Sequence, residues 1–249
     1  MAKTKNIPET VETASKPLKP AVIVEMFERF KQHNPEPTTE LNYTNAFTLL
    51  VAVVCSAQMT DKGVNRATEE LFKIADTPQK MLTLGAEKVG DYLKTINFHG
   101  TKTKNVMALS QILVDDYGGK VPDDHAELIK LPGVGNKTAN VILNTMFGRN
   151  TMAVDTHIFR VANRTGLTKG TTPEQVEAGL LKRIPEEYLY HAHHWLILHG
   201  RYVCKARKPD CPTCIVRDLC NYPHKTEIKI AGQKSGAAKP LLTERKKKK

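Results

Sequence analysis

Residues 131–140 read LPGVGNKTAN. Two glycines two residues apart, followed by a lysine at the mouth of a helix, suggest a nucleotide P-loop, which needs G-x-x-x-x-G-K-[ST] after a buried strand. Here Asn136 rather than glycine precedes Lys137, and the preceding DDHAELIKLPG carries Leu128 and Leu131 at helical spacing. The stretch therefore reads as helix, tight hairpin, helix. Gly133 and Gly135 permit positive φ and let the backbone, with Val134 between them, approach another molecule closely. Exposed amides at the start of the second helix would point at an anion, and the helix dipole adds to the attraction. The hairpin is a candidate phosphate clamp; the plainer alternative is a corner between two helices.

Lys137 falls in the first turn of that second helix, where the positive helix end disfavours an ammonium. A lysine pushed toward neutrality can act as a nucleophile and form a Schiff base with an aldehyde-level carbon. Taken alone, it reads more simply as a phosphate contact.

The rest of the chain sets the context. Its 249 residues, 40% of them apolar, can build one large or two modest domains. Lys and Arg number 37 against 26 Asp and Glu, a net charge of +11 that favours an anionic partner such as nucleic acid. The terminal run Arg245–Lys249 holds five of these charges and reads as a solvated tail, which leaves the body basic without it. No apolar run approaches the roughly 20 residues needed to span a bilayer, so no membrane association is expected. The amino-terminal MAKTKNIPETVETASKPLKP lacks a signal peptide's apolar centre. Without an export signal, five cysteines in a reducing compartment point to metal binding or reactivity rather than disulfides.

Helical signals recur and strand signals hardly appear, so the fold is expected to be all-α. In TTPEQVEAGLLKRI, Thr172 can cap, Pro173 suits the first helical position, Gln175 completes a capping box, and Val176, Leu180 and Leu181 form a buried stripe. Comparable stripes occupy 21–32, 45–57, 61–75, 101–117, 136–147, 156–164 and 187–199. Residues 1–19 read as a flexible extension and 226–249 as a basic flexible tail.

CKARKPDCPTCIVRDLC spaces Cys204, Cys211, Cys214 and Cys220 as C-x6-C-x2-C-x5-C. Four thiolates so close in sequence can converge on one soft centre, and spacing alone accepts either zinc or an iron–sulfur cube. Lys205, Arg207 and Lys208 crowd the loop between the first two cysteines, where they could grip phosphates. Cys55, in LLVAVVCSAQMTD, reads as a buried core thiol. In MAVDTHIFRVANR, Asp155 is a helix N-cap by local logic. A carboxylate held by helix-end amides favours its charged form and can stabilise developing positive charge. His157 beside it reads as a structural group. Gln58 stands at the end of an apolar helix, and Phe98 in a loop before Lys102 and Lys104; either could project as a wedge between bases.

Taken together and in order, NPEPTTEL, SAQMTD, LPGVGNKTANVILN, AVDTHIFRV, HHWLILHGRYVC and the four-cysteine pattern resemble the endonuclease III family of the helix-hairpin-helix DNA glycosylase superfamily. The likeness runs from about Met26 to Tyr222. It implies a six-helix barrel over 39–149 carrying the hairpin, and a second helical domain from 20–38 plus 150–225 that holds a [4Fe–4S] cluster. Duplex DNA with damaged pyrimidines or abasic sites would lie across the cleft between them. By the same resemblance Lys137 is the Schiff-base nucleophile, Asp155 the essential carboxylate, and the four cysteines the cluster ligands. Gln58 would fill the gap left by a flipped nucleotide and Phe98 would be a second wedge; family members often carry Leu there, and bacterial relatives commonly carry Arg where Asn136 stands. A monomer in the bacterial cytoplasm is expected, or a nuclear protein if the source is eukaryotic. The related adenine and thymine-mismatch glycosylases usually lack the lysine, and a noncatalytic DNA-binding redox sensor is the alternative from another class.

Overall fold

The computed structural model describes residues 13–227, and the chain within those limits is helical with no strand. In order, the helices are α1 (Pro20–His33), α2 (Ala46–Ser56), α3 (Asp61–Ile74), α4 (Pro78–Leu84), α5 (Ala86–Leu93), α6 (His99–Tyr117), α7 (His125–Leu128), α8 (Asn136–Phe147), α9 (Thr156–Thr165), α10 (Pro173–Arg183) and α11 (Glu186–Tyr202), followed by a 3-10 turn at Cys211–Thr213. The all-α expectation holds.

Two hydrophobic cores organise these helices. The first is drawn from residues 41–143 and centres on α2, whose residues from Phe47 to Cys55 are all buried. A helix apolar on every face needs partners on every face, and α3, α6 and α8 all pack against α2. The second core joins α1 to residues 152–216. There Phe27 stacks on Tyr188 with ring centroids 5.7 Å apart, and the Trp195 indole N–H donates to the Asn34 carbonyl at 2.8 Å. Thus, among the described residues, the first α-helix is packed with the last.

Several boundaries differ from the sequence reading. Helices α4 and α5 carry no stripe long enough to be recognised; only Thr77, which accepts from the Lys80 amide ahead of Pro78 at the helix start, signals the first of them. Helix α6 begins at His99 rather than near 101, so Phe98 is its N-cap and not a loop residue set apart from it. At α10, Thr172 does accept from the Gln175 amide, but the Gln175 side chain reaches back to Thr171, not Thr172. The amino-terminal extension also ends sooner than expected. Ala14 and Leu18 are buried, and their amides donate to the carbonyls of Asn163 and Gly166, so residues 13–19 are laid along the end of α9. Two small or apolar side chains at that spacing form no recognisable period, which is why the segment looked unstructured. Residues 1–12 and 228–249, which include the basic tail, lie outside the described residues.

Candidate active site and cysteine centre

The LPGVG segment is a turn between α7 and α8, closed by the Val134 amide on the Leu131 carbonyl at 3.0 Å. Gly133 has φ +82°, and a Cβ there would lie 2.8 Å from the Asn105 side-chain nitrogen. The left-handed backbone is what calls for glycine there, and the Asn105 side chain packs closely against it. Gly135, by contrast, has φ −109° and open space around it; its part is to be the N-cap of α8 without a capping side chain. The amides of the first turn of α8 therefore receive no bond from the N-cap side chain and are available to an anion.

Helix α8 is anchored from both cores. Ala139, Ile142 and Leu143 are buried in the first. One turn apart, Asn140 donates to Glu177 Oε1 of α10 at 3.0 Å and Asn144 to the Tyr190 carbonyl of α11 at 3.0 Å. Buried amides so paired fix both depth and rotation, and Lys137 stands at the end of the helix they hold.

Asp155 opens α9 as the sequence implied. Its Oδ1 accepts from the amides of His157 at 2.9 Å and Ile158 at 2.8 Å. Both bonds use one oxygen, and Oδ2 makes no hydrogen bond to the described residues. His157 Nδ1 lies 3.2 Å from Arg160 Nη2, a local structural contact.

Lys137, Asp155 and Gln58 line one cleft of about 350 Å³. One wall comes from the segments of the first core and the other from α9 and α11 of the second. Arg201 of α11 ties the walls together: its guanidinium meets Asp61 at the start of α3 at 2.6 Å and also pairs with Glu40. Four further residues of this cleft escaped the sequence reading: His193, His194, Glu40 and Arg201. In HHWLILHGRY no spacing rule distinguishes a cleft histidine from a core one. Burial pushes His193 down to about 3, with the neighbouring His194 and Lys137 adding to the effect, and pushes His194 down to about 4. Both are neutral near pH 7, with His193 Nδ1 and His194 Nε2 unpartnered among the described residues.

The other candidates lie elsewhere. Phe98, 63% exposed, is outside the lining of the cleft but joined to its rim, because the neighbouring Asn97 donates to the Gln58 carbonyl at 2.8 Å. Lys205, Arg207 and Lys208 are exposed on their loop. Arg164 of α9 holds that loop, donating to the carbonyls of Lys205 at 2.8 Å and Ala206 at 2.7 Å while stacking over the Tyr222 ring.

Cys204, Cys211, Cys214 and Cys220 line one small pocket, and Cys55 is fully buried far along α2. Among the described residues no three His, Cys, Asp or Glu side chains converge as closely as a single metal ion requires. A cube holds each thiolate on its own iron, so its four sulfurs need only surround a common space. The donor set fits such a group: the Tyr222 amide points at Cys220 Sγ at 3.4 Å, Arg164 Nη1 lies 3.9 Å from Cys204 Sγ, and His199 Nε2 lies 3.8 Å from Cys214 Sγ. Burial raises the thiols of Cys204, Cys220 and Cys214, the last to about 11. Bound iron would reverse that preference by taking thiolate.

With this geometry in hand, the relatives can be placed. Residues 51–186 match the family model described as HhH-GPD superfamily base excision DNA repair protein. Endonuclease III of Rickettsia conorii is 58% identical over 201 residues, covering 81% of this chain and 96% of that protein. Endonuclease III of Escherichia coli K12 is 54% identical over 205 residues, covering 82% and 97%. Among solved structures, a trapped endonuclease III–DNA covalent intermediate superposes with TM-score 0.75 at 40% identity, covering 82% of this chain and 96% of that one. No helix among the described residues is long and apolar enough to cross a membrane. By this family match over residues 51–186 and by these relatives, the chain belongs to the HhH-GPD superfamily of base excision DNA repair proteins.

Proposed function

We propose that the chain is a bifunctional DNA N-glycosylase and abasic-site lyase that removes oxidised pyrimidines from duplex DNA, with Lys137 as nucleophile and Asp155 as its carboxylate partner. The observation that carries this reading is the meeting of an amine on the first turn of α8 with a carboxylate at the cap of α9 in one cleft between two cores. The relatives at 54–58% identity are endonucleases III, which supports the same activity.

In this reading a damaged pyrimidine, poorly stacked and paired, is extruded at less than the usual cost of a few kcal/mol and enters the cleft. Gln58 and Phe98 act as wedges that occupy the vacated stack. The uncapped amides of α8, with Gly133, Val134 and Gly135, take a phosphate near the lesion, while Lys205, Arg207 and Lys208 bind the backbone farther away. As the glycosidic bond lengthens, positive charge develops on the sugar and the Asp155 carboxylate stabilises it. The Lys137 nitrogen bonds to C1′ and the base departs with the bonding electrons. The nitrogen then loses one proton and its lone pair expels O4′, which keeps the C1′–O4′ electrons and takes up a proton, so that the opened sugar is an iminium that acidifies the C2′ proton. Loss of that proton and rupture of the C3′–oxygen bond release the 3′ phosphate, so one lysine accounts for both base removal and nicking.

The four cysteines would hold a [4Fe–4S] cluster, which when bound cross-links the 204–220 loop and fixes its basic residues toward DNA. Two folding units, 39–149 and 20–38 plus 150–225, form the walls of the cleft; the two separate cores support that division. The deciding experiment is borohydride trapping on duplexes carrying thymine glycol or an abasic site. The wild-type chain should yield a covalent protein–DNA adduct, and Lys137→Ala should lose it along with at least about 10³-fold in nicking. An adduct of undiminished yield from Lys137→Ala would remove the nucleophile assigned here, and no adduct from the wild type would favour the noncatalytic sensor.

A further inference from the structure

Among the described residues only two non-glycine residues have left-handed backbone: Gln58 at φ 56° and Phe98 at φ 58°. They are the two residues read above as wedges. A residue with a Cβ keeps such a conformation only where its surroundings over-determine it. Here the surroundings are specific. Lys102, 5% exposed on the first turns of α6, sends its ammonium across to the end of α2, donating to the Cys55 carbonyl at 2.7 Å and the Ala57 carbonyl at 2.8 Å. Asn97 donates to the Gln58 carbonyl at 2.8 Å. The Lys102 amide closes the same loop by donating to the Phe98 carbonyl at 3.0 Å.

A buried lysine at a helix C-terminus could be only a cap, satisfying orphan carbonyls and the negative helix end. What goes beyond a cap is the origin of the cation. It belongs to the helix that Phe98 caps, and it binds the carbonyls on the N-terminal side of Gln58, while Asn97 binds Gln58 itself. Both side chains that bond to the Gln58 loop from outside thus come from the six residues 97–102, which include Phe98. Desolvation lowers the Lys102 pKa, the direction expected for an ammonium withdrawn from water.

We infer that Lys102 and Asn97 are positioning residues that hold Gln58 and Phe98 as one rigid two-pronged wedge, so that both prongs enter the duplex in a fixed relation. The inference rests on the wedge reading of Gln58 and Phe98. Its physical content is preorganisation: both prongs are ordered during folding, and extruding a base need not order them again. Without the tether the loops can relax away from left-handed backbone and the prongs part. Opening a paired duplex then slows, while a sugar that already lacks base and partner strand gains nothing from the wedge.

The test compares single-turnover base release from a thymine-glycol duplex with nicking of an abasic site in single-stranded DNA, using full-length wild type, Lys102→Met, Asn97→Ala, Phe98→Ala and Gln58→Ala. A 2-aminopurine beside the lesion reports unstacking. Lys102→Met should lose about tenfold on the duplex, with a matching loss of the fluorescence rise, and stay within about twofold on the single strand. Asn97→Ala should lose about threefold in the same pattern. Should both variants match wild type on the duplex while Phe98→Ala is impaired, the tether is wrong and the wedge stands. Should Phe98→Ala and Gln58→Ala leave duplex rate and fluorescence untouched, the wedge reading itself fails. Equal losses on both substrates would mark Lys102 as a general support of the fold and overturn the inference. If Lys102→Met does not fold, Asn97→Ala, at an exposed position, decides on the same criteria.

Discussion

Two helices begin at the cleft, and they begin differently. Helix α9 closes its own N-terminus with Asp155, whose Oδ1 takes two amides. Helix α8 starts from Gly135 with no capping side chain at all. The same electrostatic feature, a positive helix end, is internally neutralised in one case and left for an outside anion in the other. In α9 the dipole holds a carboxylate at the site; in α8 it remains available to a phosphate. The difference arises at single residues, aspartate against glycine, with ordinary helix behind each.

The largest expected effect separates capping from chemistry at Asp155. Asn caps a helix about as well as Asp, so Asp155→Asn should hold its melting temperature within a few degrees while base release falls about 10²–10³-fold. Asp155→Ala should show the same kinetic loss plus about 1 kcal/mol of stability. Full activity in Asp155→Asn, measured in single-turnover assays, would reduce the residue to a cap.

The α11 wall gives the comparison a pH dependence. His193 and His194 are buried neutral, with pKa values pushed down to about 3 and about 4. The unfolded chain binds protons below about 6.5 where the folded chain does not, so their contribution is complete above that pH and declines as pH falls toward 4. Chemical denaturation should show stability dropping by roughly 1–3 kcal/mol per pH unit between 6.5 and 4.5. A flattened slope in a His193→Gln, His194→Gln double variant would assign it to this wall.

The smallest effect comes from closing the open helix. A Cβ at Gly135 meets nothing within 4 Å and the backbone there is not left-handed, so Gly135→Asp should fold, with a gain of a few tenths of a kcal/mol from the new cap. It should weaken duplex binding about fivefold, because a fixed carboxylate now takes the amides and repels phosphate. Unchanged affinity in fluorescence anisotropy would show that α8 does not bind phosphate through its end.

Much of this arrangement was legible beforehand, and the reason is locality. The Gly133 turn, the cap at Asp155, the bounds of α8 and the burial of Cys55 depend on residues within a few positions, so sequence spacing is enough to expect them. Beyond the Thr77 cap, the short α4 and α5, the packed segment 13–19 and the start of α6 at His99 were not legible, because each is stabilised by partners beyond its own few residues. The same holds for His193 and His194. Whether a histidine is solvated, cored or facing a cleft depends on what packs over it, and nothing in HHWLILHGRY encodes that locally.

The sequence by itself determined an all-helical chain, an open helix end after the LPGVG turn, a capped one at Asp155, and a set of four clustered thiols, since each follows from backbone chemistry over a few residues. Only the tertiary structure decided that α8 and α9 open onto one cleft, that Arg201 joins its walls, and that Lys102 reaches back from the helix behind Phe98 to the loop before Gln58. Those are contacts between segments tens of residues apart, and their geometry exists only after the two cores have packed.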